Sequence, residues 1–378
     1  MKKVFAFASL LVAVVMLLTA CGPAATTVPP TAVPPPTTVP PTAVPPPTTV
    51  PPTAVPPTAA PTVAPTAIPP ICTKLADAPA VPAAGQLGAS DTPITIAFVP
   101  SGESGIIATA STAIATCLNQ MTGLTYTIQT GTSYAAAIEA MGAGKAQVGF
   151  LNTFSILIAQ AKYGIIPALI NLRNYSTNDL DPDKALGGKL EPFYKGQFIA
   201  RADANIKTYA DLKGKTFCFV DPLSTSGYIV PRIILKANGV NPDTDFKATV
   251  NAGSHPNVAI AVYKGDCDAG VTYINVLTDA ATNLAATYPD IATKVVVFAD
   301  TDRIPNDGVQ YVSSFPAALQ SITTEALMAM AADPGGKAVL AKLYAINAFQ
   351  KLDATSTYYS DFNKVLVAAG VDPSSLVK

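Results

Sequence analysis

A proline-rich segment near the N-terminus limits where this chain can fold. Between Gly22 and Pro70 there are 19 of the chain's 35 prolines, and the unit VPPTAVPPPTT runs from Val28 to Thr38 and again from Val39 to Thr49. Because proline fixes φ and lacks a backbone donor, neither helix nor sheet can form here. We expect residues 21–72 to be a disordered, extended stalk, which at about 3.1 Å per residue reaches on the order of 150 Å.

The segment before the stalk has the features of a signal peptide. Lys2 and Lys3 precede an uninterrupted run of apolar and small residues from Val4 to Leu18, which is short for a membrane span. The sequence LTAC that ends at Cys21 resembles the lipobox of bacterial lipoproteins. We therefore expect residues 1–20 to be removed and Cys21 to carry a lipid that anchors the protein to the membrane. The alternative is an ordinary secretory cleavage site with an incidental cysteine.

Composition argues against two classes of function. The formal net charge is −1 and 13% of residues are charged, so the basic footprint of a nucleic-acid-binding protein is missing. The sequence also lacks a recognisable acid/base pair, nucleophilic triad, metal-ligand cluster or GxxxxGK phosphate loop. We expect a non-enzymatic protein without cofactor or metal.

Four cysteines remain in the predicted folded part. They are Cys72, Cys117, Cys218 and Cys267, and their spacing fits neither a zinc site nor a CxxC redox motif. Four cysteines allow three pairings, of which we predict Cys72–Cys117 and Cys218–Cys267, the second joining neighbouring strands. The alternative is four buried thiols.

Strand and helix patterns alternate from about Asp91 onward, over roughly 290 residues, enough for two domains. The first unit has predicted strands at residues 94–99, 126–129 and 148–151 and helices at 107–121, 134–144 and 154–163. A strand at 195–201 leaves this unit. The second unit has strands at 216–220 and 269–273, another strand that ends at 249–250, and helices at 209–212, 227–238 and 256–264. Residues 294–298 are expected to return toward the first unit, and the C-terminal helices to cover 317–321, 324–332, 336–345 and 360–369. This rhythm is typical of α/β domains.

Three successive hydroxyl residues stand between a predicted strand and a predicted helix. Ser224, Thr225 and Ser226 place O–H and N–H donors at a helix start, which carries partial positive charge and suits a tetrahedral oxyanion. Gly227 allows the backbone to approach closely. The alternative is a simple helix N-cap without a ligand.

The chain's one histidine lies at a second helix start. His255 is preceded by Ser254 and followed by Pro256, which suits the first helical position. An imidazole there can donate to an anion, and protonation adds charge. A histidine with a purely structural role is the alternative.

Several separated segments together resemble the phosphate-, phosphite- and phosphonate-binding proteins of ABC importers. They occur in the family's order and cover about residues 94–350: 94–100, 118–123, 134–141, 144–150, 224–228 with Pro231, 253–255 and 265–270. The resemblance implies an α/β fold, a two-lobed type II periplasmic-binding-protein clamshell. Each lobe is a sheet flanked by helices, and the chain crosses between them twice. The expected lobes are residues 91–197 with 303–378, and residues 198–302.

The resemblance also implies a set of ligand contacts. Carried over residue by residue, the family's head-group contacts fall on Tyr134, Ser155, Ser224, Thr225, Ser226 and His255, with weaker candidates at Ser101, Gly102, Asn152, Thr153 and Tyr273. The implied partners are a small phosphorus oxyanion and the membrane permease of an ABC importer, with the binding protein itself a monomer.

Two departures from the family bear on the ligand. A tyrosine that often follows the serine aligned with Ser155 is replaced by Ile156, so Phe154 is the available aromatic. Family members that bind aminoalkylphosphonates hold the amine with carboxylates, and Ile274 and Asn275 next to Tyr273 offer none. The pattern therefore favours phosphate, phosphite or a simple alkylphosphonate. The alternatives are a sulfonate or a thiamine-precursor-like solute on the same fold, or a wall-associated lipoprotein without a ligand.

Overall fold

A computed structural model describes residues 72–353 and 355–376. The predicted signal peptide, the lipid at Cys21 and almost all of the predicted stalk lie outside these residues. Within the described ranges, no helix combines the length and the apolar character needed to cross a membrane.

The described residues form fourteen strands and ten α-helices. The strands are β1 (Ile94–Phe98), β2 (Tyr126–Thr130), β3 (Val148–Leu151), β4 (Ile166–Asn174), β5 (Leu190–Glu191), β6 (Phe193–Tyr194), β7 (Gly196–Arg201), β8 (Thr216–Phe219), β9 (Ala248–Asn251), β10 (Ala269–Tyr273), β11 (Val295–Asp300), β12 (Ile304–Pro305), β13 (Gly308–Tyr311) and β14 (Ala348–Lys351). The helices are α1 (Ser104–Thr122), α2 (Tyr134–Gly142), α3 (Thr153–Tyr163), α4 (Val230–Ala237), α5 (His255–Lys264), α6 (Leu284–Thr287), α7 (Ile291–Lys294), α8 (Ala317–Ala332), α9 (Pro334–Lys342) and α10 (Tyr358–Ala368).

Helix α1 shows how local sequence sets these elements. The Glu103 carboxylate accepts hydrogen bonds from the backbone N–H groups of Gly105 and Ile106 and so caps the helix start. Gly123 ends the helix in the left-handed region, with φ of 74°. The buried face repeats every three or four residues, and its apolar members are Ile107, Ala110, Ile114, Cys117, Leu118 and Met121.

The first sheet has the strand order β14-β4-β13-β3-β1-β2, with β5 paired to β4. Strands β1, β2 and β3 are parallel, whereas β13 and β14 pair antiparallel. Strands β4, β13 and β14 were not predicted. Strand β4 contains Pro167 and lacks a clean alternation of buried and exposed residues, and β13 and β14 are four residues each. Pairing across the sheet, rather than local pattern, defines them.

The second sheet has the order β11-β7-β10-β8-β9. Its core is aromatic, with Phe217 stacked on Phe246 at a ring-centroid distance of 4.8 Å. The predicted return of residues 294–298 to the first unit is wrong. Strand β11 instead pairs antiparallel with β7 at the edge of this second sheet. An apolar strand can bury its face on either sheet, so its composition does not reveal which partner it takes.

The chain crosses between the two sheets in two segments, residues 192–195 and 301–307. Strands β6 and β12 pair antiparallel within these segments and tie the two crossings together. The prediction of a two-lobed α/β protein with two crossings is confirmed, since each sheet forms its own lobe flanked by helices.

Two predicted helix boundaries were wrong. The predicted helix over residues 227–238 is a π-helical turn, Thr225–Ile229, followed by α4. Residues 317–332 form one helix, α8, where two pieces were expected. Ser321 and Thr323 within α8 are weak helix formers, but packing of the helix face on the core outweighs that preference.

Two disulfides are present, Cys72–Cys117 and Cys218–Cys267, with Cα–Cα distances of 5.3 and 5.9 Å. The first ties the start of the described chain to α1. In the second, Cys218 lies in β8, but Cys267 precedes β10 rather than lying within it. Both bridges therefore restrain one lobe each and leave the crossings free of covalent links.

Candidate functional site

A cavity of about 110 Å³ lies between the two lobes. Residues from both sheets' loops and from the two crossing segments line it. It gathers most of the sequence-predicted site residues, namely Ser101, Gly102, Tyr134, Asn152, Ser224, Thr225, Ser226, His255 and Tyr273. Since junctions between lobes favour small ligands, this cavity is the candidate binding site.

Two predicted residues do not line the cavity. Ser155 is fully buried in α3, and its hydroxyl has no hydrogen-bond partner among the described residues. The Thr153 hydroxyl donates to the Pro305 carbonyl at 2.6 Å and so holds α3 against β12. The resemblance placed them in the cleft because they open α3, but only Asn152, just before the helix, reaches the cavity.

The hydroxyl triplet opens the π-helical turn that follows β8. Ser224 is its N-cap, and the Ser224 hydroxyl accepts from the Gly227 N–H at 3.1 Å. A Cβ at Gly227 would lie 2.3 Å from Val220 Cγ2, so glycine is needed for close packing on Val220 rather than for approach to a ligand. The N-cap interpretation and the ligand interpretation both apply to Ser224, since it caps the turn and also lines the cavity.

Thr225 contacts the opposite lobe through its hydroxyl oxygen. That oxygen accepts from Asn152 Nδ2 and from the Phe154 backbone N–H, both at 2.9 Å. A threonine hydroxyl has two acceptor positions and one hydrogen. With both acceptor positions occupied, the hydrogen remains available for an acceptor in the cavity.

Ser226 is arranged in a similar way. The Tyr194 hydroxyl, on β6, donates to Ser226 Oγ at 3.2 Å. Ser226 is buried, and since its oxygen accepts this bond, its own hydrogen remains available to donate. Two of the three hydroxyls are therefore held as donors by neighbouring groups.

His255 opens α5, and its protonation follows from its contacts. The Tyr273 backbone N–H donates to His255 Nδ1 at 3.1 Å, so Nδ1 carries no hydrogen and Nε2 carries it. Nε2 lies 3.5 Å from Ser224 Oγ, at the cavity. Burial lowers the pKa of His255 to about 3. The expectation that protonation adds positive charge here is therefore wrong: the imidazole is a neutral donor.

The neutral imidazole predicts a pH-dependent stability. In the unfolded chain His255 takes up a proton below about pH 6.5, whereas the folded chain takes it up only near pH 3. Stability is therefore lost as the pH falls through this window, by about 1.4 kcal/mol per pH unit. Urea unfolding at pH 7 and pH 4.5 should show that His255→Gln loses about 2–3 kcal/mol less than the parent protein. Equal losses in the two proteins would place the titration elsewhere.

An ion pair at the cavity was not predicted. Arg173, at the end of β4, binds both carboxylate oxygens of Asp307, at 2.6 and 3.3 Å, in the second crossing segment. Arg173 Nε also donates to the Tyr344 carbonyl at 2.6 Å. The charges of Asp307 and Arg173 offset each other, and both side chains are about 15% exposed. No sequence signal pointed to this pair, because β4 itself was not recognised.

A carboxylate does lie beside Tyr273, which corrects the sequence interpretation. Asp279 Oδ2 accepts from the Tyr273 hydroxyl at 2.8 Å, and Asp279 lines the cavity. Asp279 lies six residues beyond Tyr273 in the chain and returns to it through the turns after β10. Amine-bearing ligands are therefore not disfavoured by the lack of a carboxylate.

Tyr134 provides the strongest indication of a missing partner. Its hydroxyl is buried, and across residues 72–353 and 355–376 it has no hydrogen-bond partner. Burial raises the pKa of Tyr134 well above its usual value, so the hydroxyl keeps its hydrogen. An unpaired buried hydroxyl is costly, and a ligand in the cavity that Tyr134 lines would pair it.

The lobes contact each other around this cavity. Asn152 Nδ2 donates to the Leu223 carbonyl at 2.8 Å, and the His255 N–H donates to the Ser101 carbonyl at 3.1 Å. These bonds join the first lobe to both helix starts of the second. The structure is therefore that of a closed clamshell.

Comparison with known proteins agrees with this arrangement. A family described as "ABC transporter, phosphonate, periplasmic substrate-binding protein" matches residues 96–358. The chain belongs to this family. The match begins in β1 and ends in α10, and so includes every residue that lines the cavity.

Two curated relatives share part of the sequence. The chain is 32% identical over 190 residues to the phosphate-import protein PhnD of Mycolicibacterium smegmatis, covering 48% of this chain and 54% of that protein. It is 30% identical over 156 residues to the phosphonates-binding periplasmic protein of Escherichia coli, covering 40% and 45%. The chain thus spans about half the length of the curated relatives it matches.

Solved structures support the fold. A binding protein component of an ABC phosphonate transporter from Pseudomonas aeruginosa aligns with a TM-score of 0.63 and 22% identity, over 73% of this chain and 86% of that one. Prochlorococcus marinus PhnD1 in complex with methylphosphonate aligns with a TM-score of 0.60 and 16% identity, over 73% and 98%. At these identities the likeness establishes the type II periplasmic-binding-protein fold.

Proposed function

We propose that this protein is the extracytoplasmic solute-binding component of an ABC importer and captures a small phosphorus oxyanion, phosphate or a phosphonate. The observation that carries the proposal is the unpaired hydroxyl of Tyr134, a residue that lines the cavity together with Ser224, Thr225, Ser226 and His255. These groups are donors. A tetrahedral anion offers acceptors to all of them.

Neutral donors are enough to hold such an anion. Each hydrogen bond to a charged oxygen contributes roughly 1.5–3 kcal/mol, and several act together in a cavity from which water is largely excluded. The Arg173–Asp307 pair contributes little net charge at short range. Binding therefore depends on the number and direction of donors rather than on a cationic residue.

Capture is coupled to closure. Ser101, Tyr134 and Asn152 belong to the first lobe, and the hydroxyl triplet and His255 to the second, so both halves meet the ligand only when the lobes are together. A ligand that binds this state better shifts the population toward it. The closed form is the one we expect the permease to recognise.

The remaining features of the proposal rest on the sequence and the family. We propose a monomer that has no catalytic activity and is held at the membrane by a lipid on Cys21, with residues 21–72 as a tether. A tether keeps the binding protein near the permease and raises its effective concentration. Partitioning of the chain into a detergent phase tests the anchor.

The test is calorimetry of the full-length chain with phosphate, methylphosphonate, aminoethylphosphonate and methanesulfonate. We expect a phosphorus ligand to bind, and Tyr134→Phe to weaken it at least tenfold, since one hydrogen bond to a charged oxygen is lost. The amine-bearing ligand belongs in the panel because Asp279 borders the cavity.

Tyr311→Phe is the matched control. Its hydroxyl is also buried but bonds Thr324 at 2.7 Å, away from the cavity. We expect it to leave affinity unchanged. Failure of every phosphorus ligand to bind, or tighter binding of methanesulfonate, would contradict the proposed function.

A further inference from the structure

Asn152, one of the residues that line the cavity, carries a second unpaired polar atom. The residue is 7% exposed, and its amide oxygen, Oδ1, is buried without a hydrogen-bond partner in the described part of the chain. Asn152 is also one of the residues that line the cavity. Unlike the surrounding hydroxyls, an amide oxygen can only accept.

The orientation of this amide is determined by its contacts. The nitrogen lies 2.8 Å from the Leu223 carbonyl and 2.9 Å from Thr225 Oγ1. A carbonyl oxygen cannot donate, so the atom facing Leu223 has to be the NH₂ group. Both hydrogens of Asn152 Nδ2 are used in these bonds, which leaves Oδ1 as the free atom.

A fully deprotonated oxyanion does not satisfy this site. It presents only acceptors, and an acceptor facing Asn152 Oδ1 leaves that oxygen buried and unpaired. A ligand with one protonated oxygen, P–OH, supplies the missing hydrogen. We propose that Asn152 Oδ1 accepts this hydrogen, so that the cavity selects the singly protonated form of a phosphate or phosphonate and rejects sulfonates. The inference rests on the proposed function and specifies the ligand's protonation state.

The protein's own charged groups do not supply this selection. Facing the cavity are Glu103 and Lys342, the Arg173–Asp307 pair, Asp279 hydrogen-bonded to Tyr273, and His255. Asp221, on the loop that Asn152 contacts, accepts from the Leu223 N–H. His255 is the chain's one histidine, and histidine is the side chain whose ordinary pKa lies near neutral pH. The experiment therefore has to distinguish proton uptake by His255 from proton uptake by the ligand.

The discriminating measurement is proton uptake on binding, from calorimetry of methylphosphonate in buffers of different ionisation enthalpy. Above the ligand's second ionisation, we expect close to one proton taken up per ligand bound, and an affinity that falls about tenfold per pH unit. Methanesulfonate has the same shape and a single charge but no acidic hydrogen, and we expect it to bind at least a hundredfold more weakly.

Variants assign the uptake to its source. His255→Gln should keep the proton uptake, because the proton that is taken up resides on the ligand. Asn152→Ala should abolish it and flatten the pH profile. If Asn152→Ala no longer binds methylphosphonate, Asn152→Asp provides a second test, since it keeps an acceptor at this position. It should still take up close to one proton per ligand bound above the ligand's second ionisation, because its carboxylate accepts the ligand's hydrogen.

The outcomes separate this inference from the proposed function. Binding of methylphosphonate without proton uptake overturns the inference alone. Uptake that persists in Asn152→Ala, or that disappears in His255→Gln, also overturns it. If no phosphorus ligand in the panel binds, the proposed function itself fails.

Discussion

Replacing Thr225 by valine should weaken binding of a phosphorus oxyanion by about a hundredfold or more. The substitution keeps the shape of the side chain but removes the hydroxyl hydrogen that the geometry leaves for the ligand, at a cost of roughly 1.5–3 kcal/mol. It also leaves the Asn152 amide and the Phe154 N–H without their acceptor in the closed state. Each stranded donor costs a further 1–3 kcal/mol or so, and about 1.4 kcal/mol corresponds to a factor of ten.

Two variants separate this effect from a general loss of structure. Thr225→Ser keeps the hydroxyl and should retain affinity to within about tenfold of the parent protein. Thr323→Val removes a buried hydroxyl that bonds Tyr126 at 2.9 Å, away from the cavity, and should leave affinity unchanged. The measurement is calorimetry of ligand binding to all three variants. If Thr225→Val binds within threefold of the parent, Thr225 neither contacts the ligand nor holds the lobes together.

Replacing Arg173 by methionine should lower the free energy of unfolding by about 3–5 kcal/mol. The pair with Asp307 is largely shielded from solvent, and removing the guanidinium leaves a partly buried carboxylate with no countercharge. The loss should be seen in urea denaturation of the ligand-free protein. The ion pair joins residues 134 positions apart in the chain. Its loss should therefore weaken the packing of β4 against the second crossing segment rather than a local turn.

A double variant tests the cause. Replacing Arg173 by methionine together with Asp307 by leucine removes both charges, and we expect it to recover most of the lost stability. Lys364→Met breaks an exposed pair with Asp361 and should cost less than about 1 kcal/mol. A loss for Arg173→Met as small as that for Lys364→Met would show that the Arg173 pair contributes no more than a surface contact.

Much of the fold could be predicted from local pattern. The strands β1 and β3 and the helices α1 and α5 follow from apolar runs, periodic faces and glycine ends, all of which act within a few residues. Strands β4, β13 and β14 could not be found in this way. They are set by antiparallel partners in the first sheet, and β4 carries a proline, Pro167, as its second residue.

The same division applies to the candidate site. The hydroxyl triplet and His255 stand out because each lies between a strand and a helix, where donors are exposed by the geometry of the chain itself. Asp279 escaped notice because it reaches Tyr273 only after the intervening turns close. Ser155 is not among the residues that line the cavity, since position along α3 does not reveal which side chains the packing buries.

By itself, the sequence predicted the α/β rhythm, a proline-rich stalk and the two donor-rich helix starts. These depend on backbone stereochemistry and on neighbours a few residues away. Only the tertiary structure decided that His255 is neutral, that Arg173 meets Asp307, and that Asn152 reaches across 73 residues to Thr225 and leaves its amide oxygen unpaired. Burial and long-range pairing create these properties, and neither exists until the chain has folded.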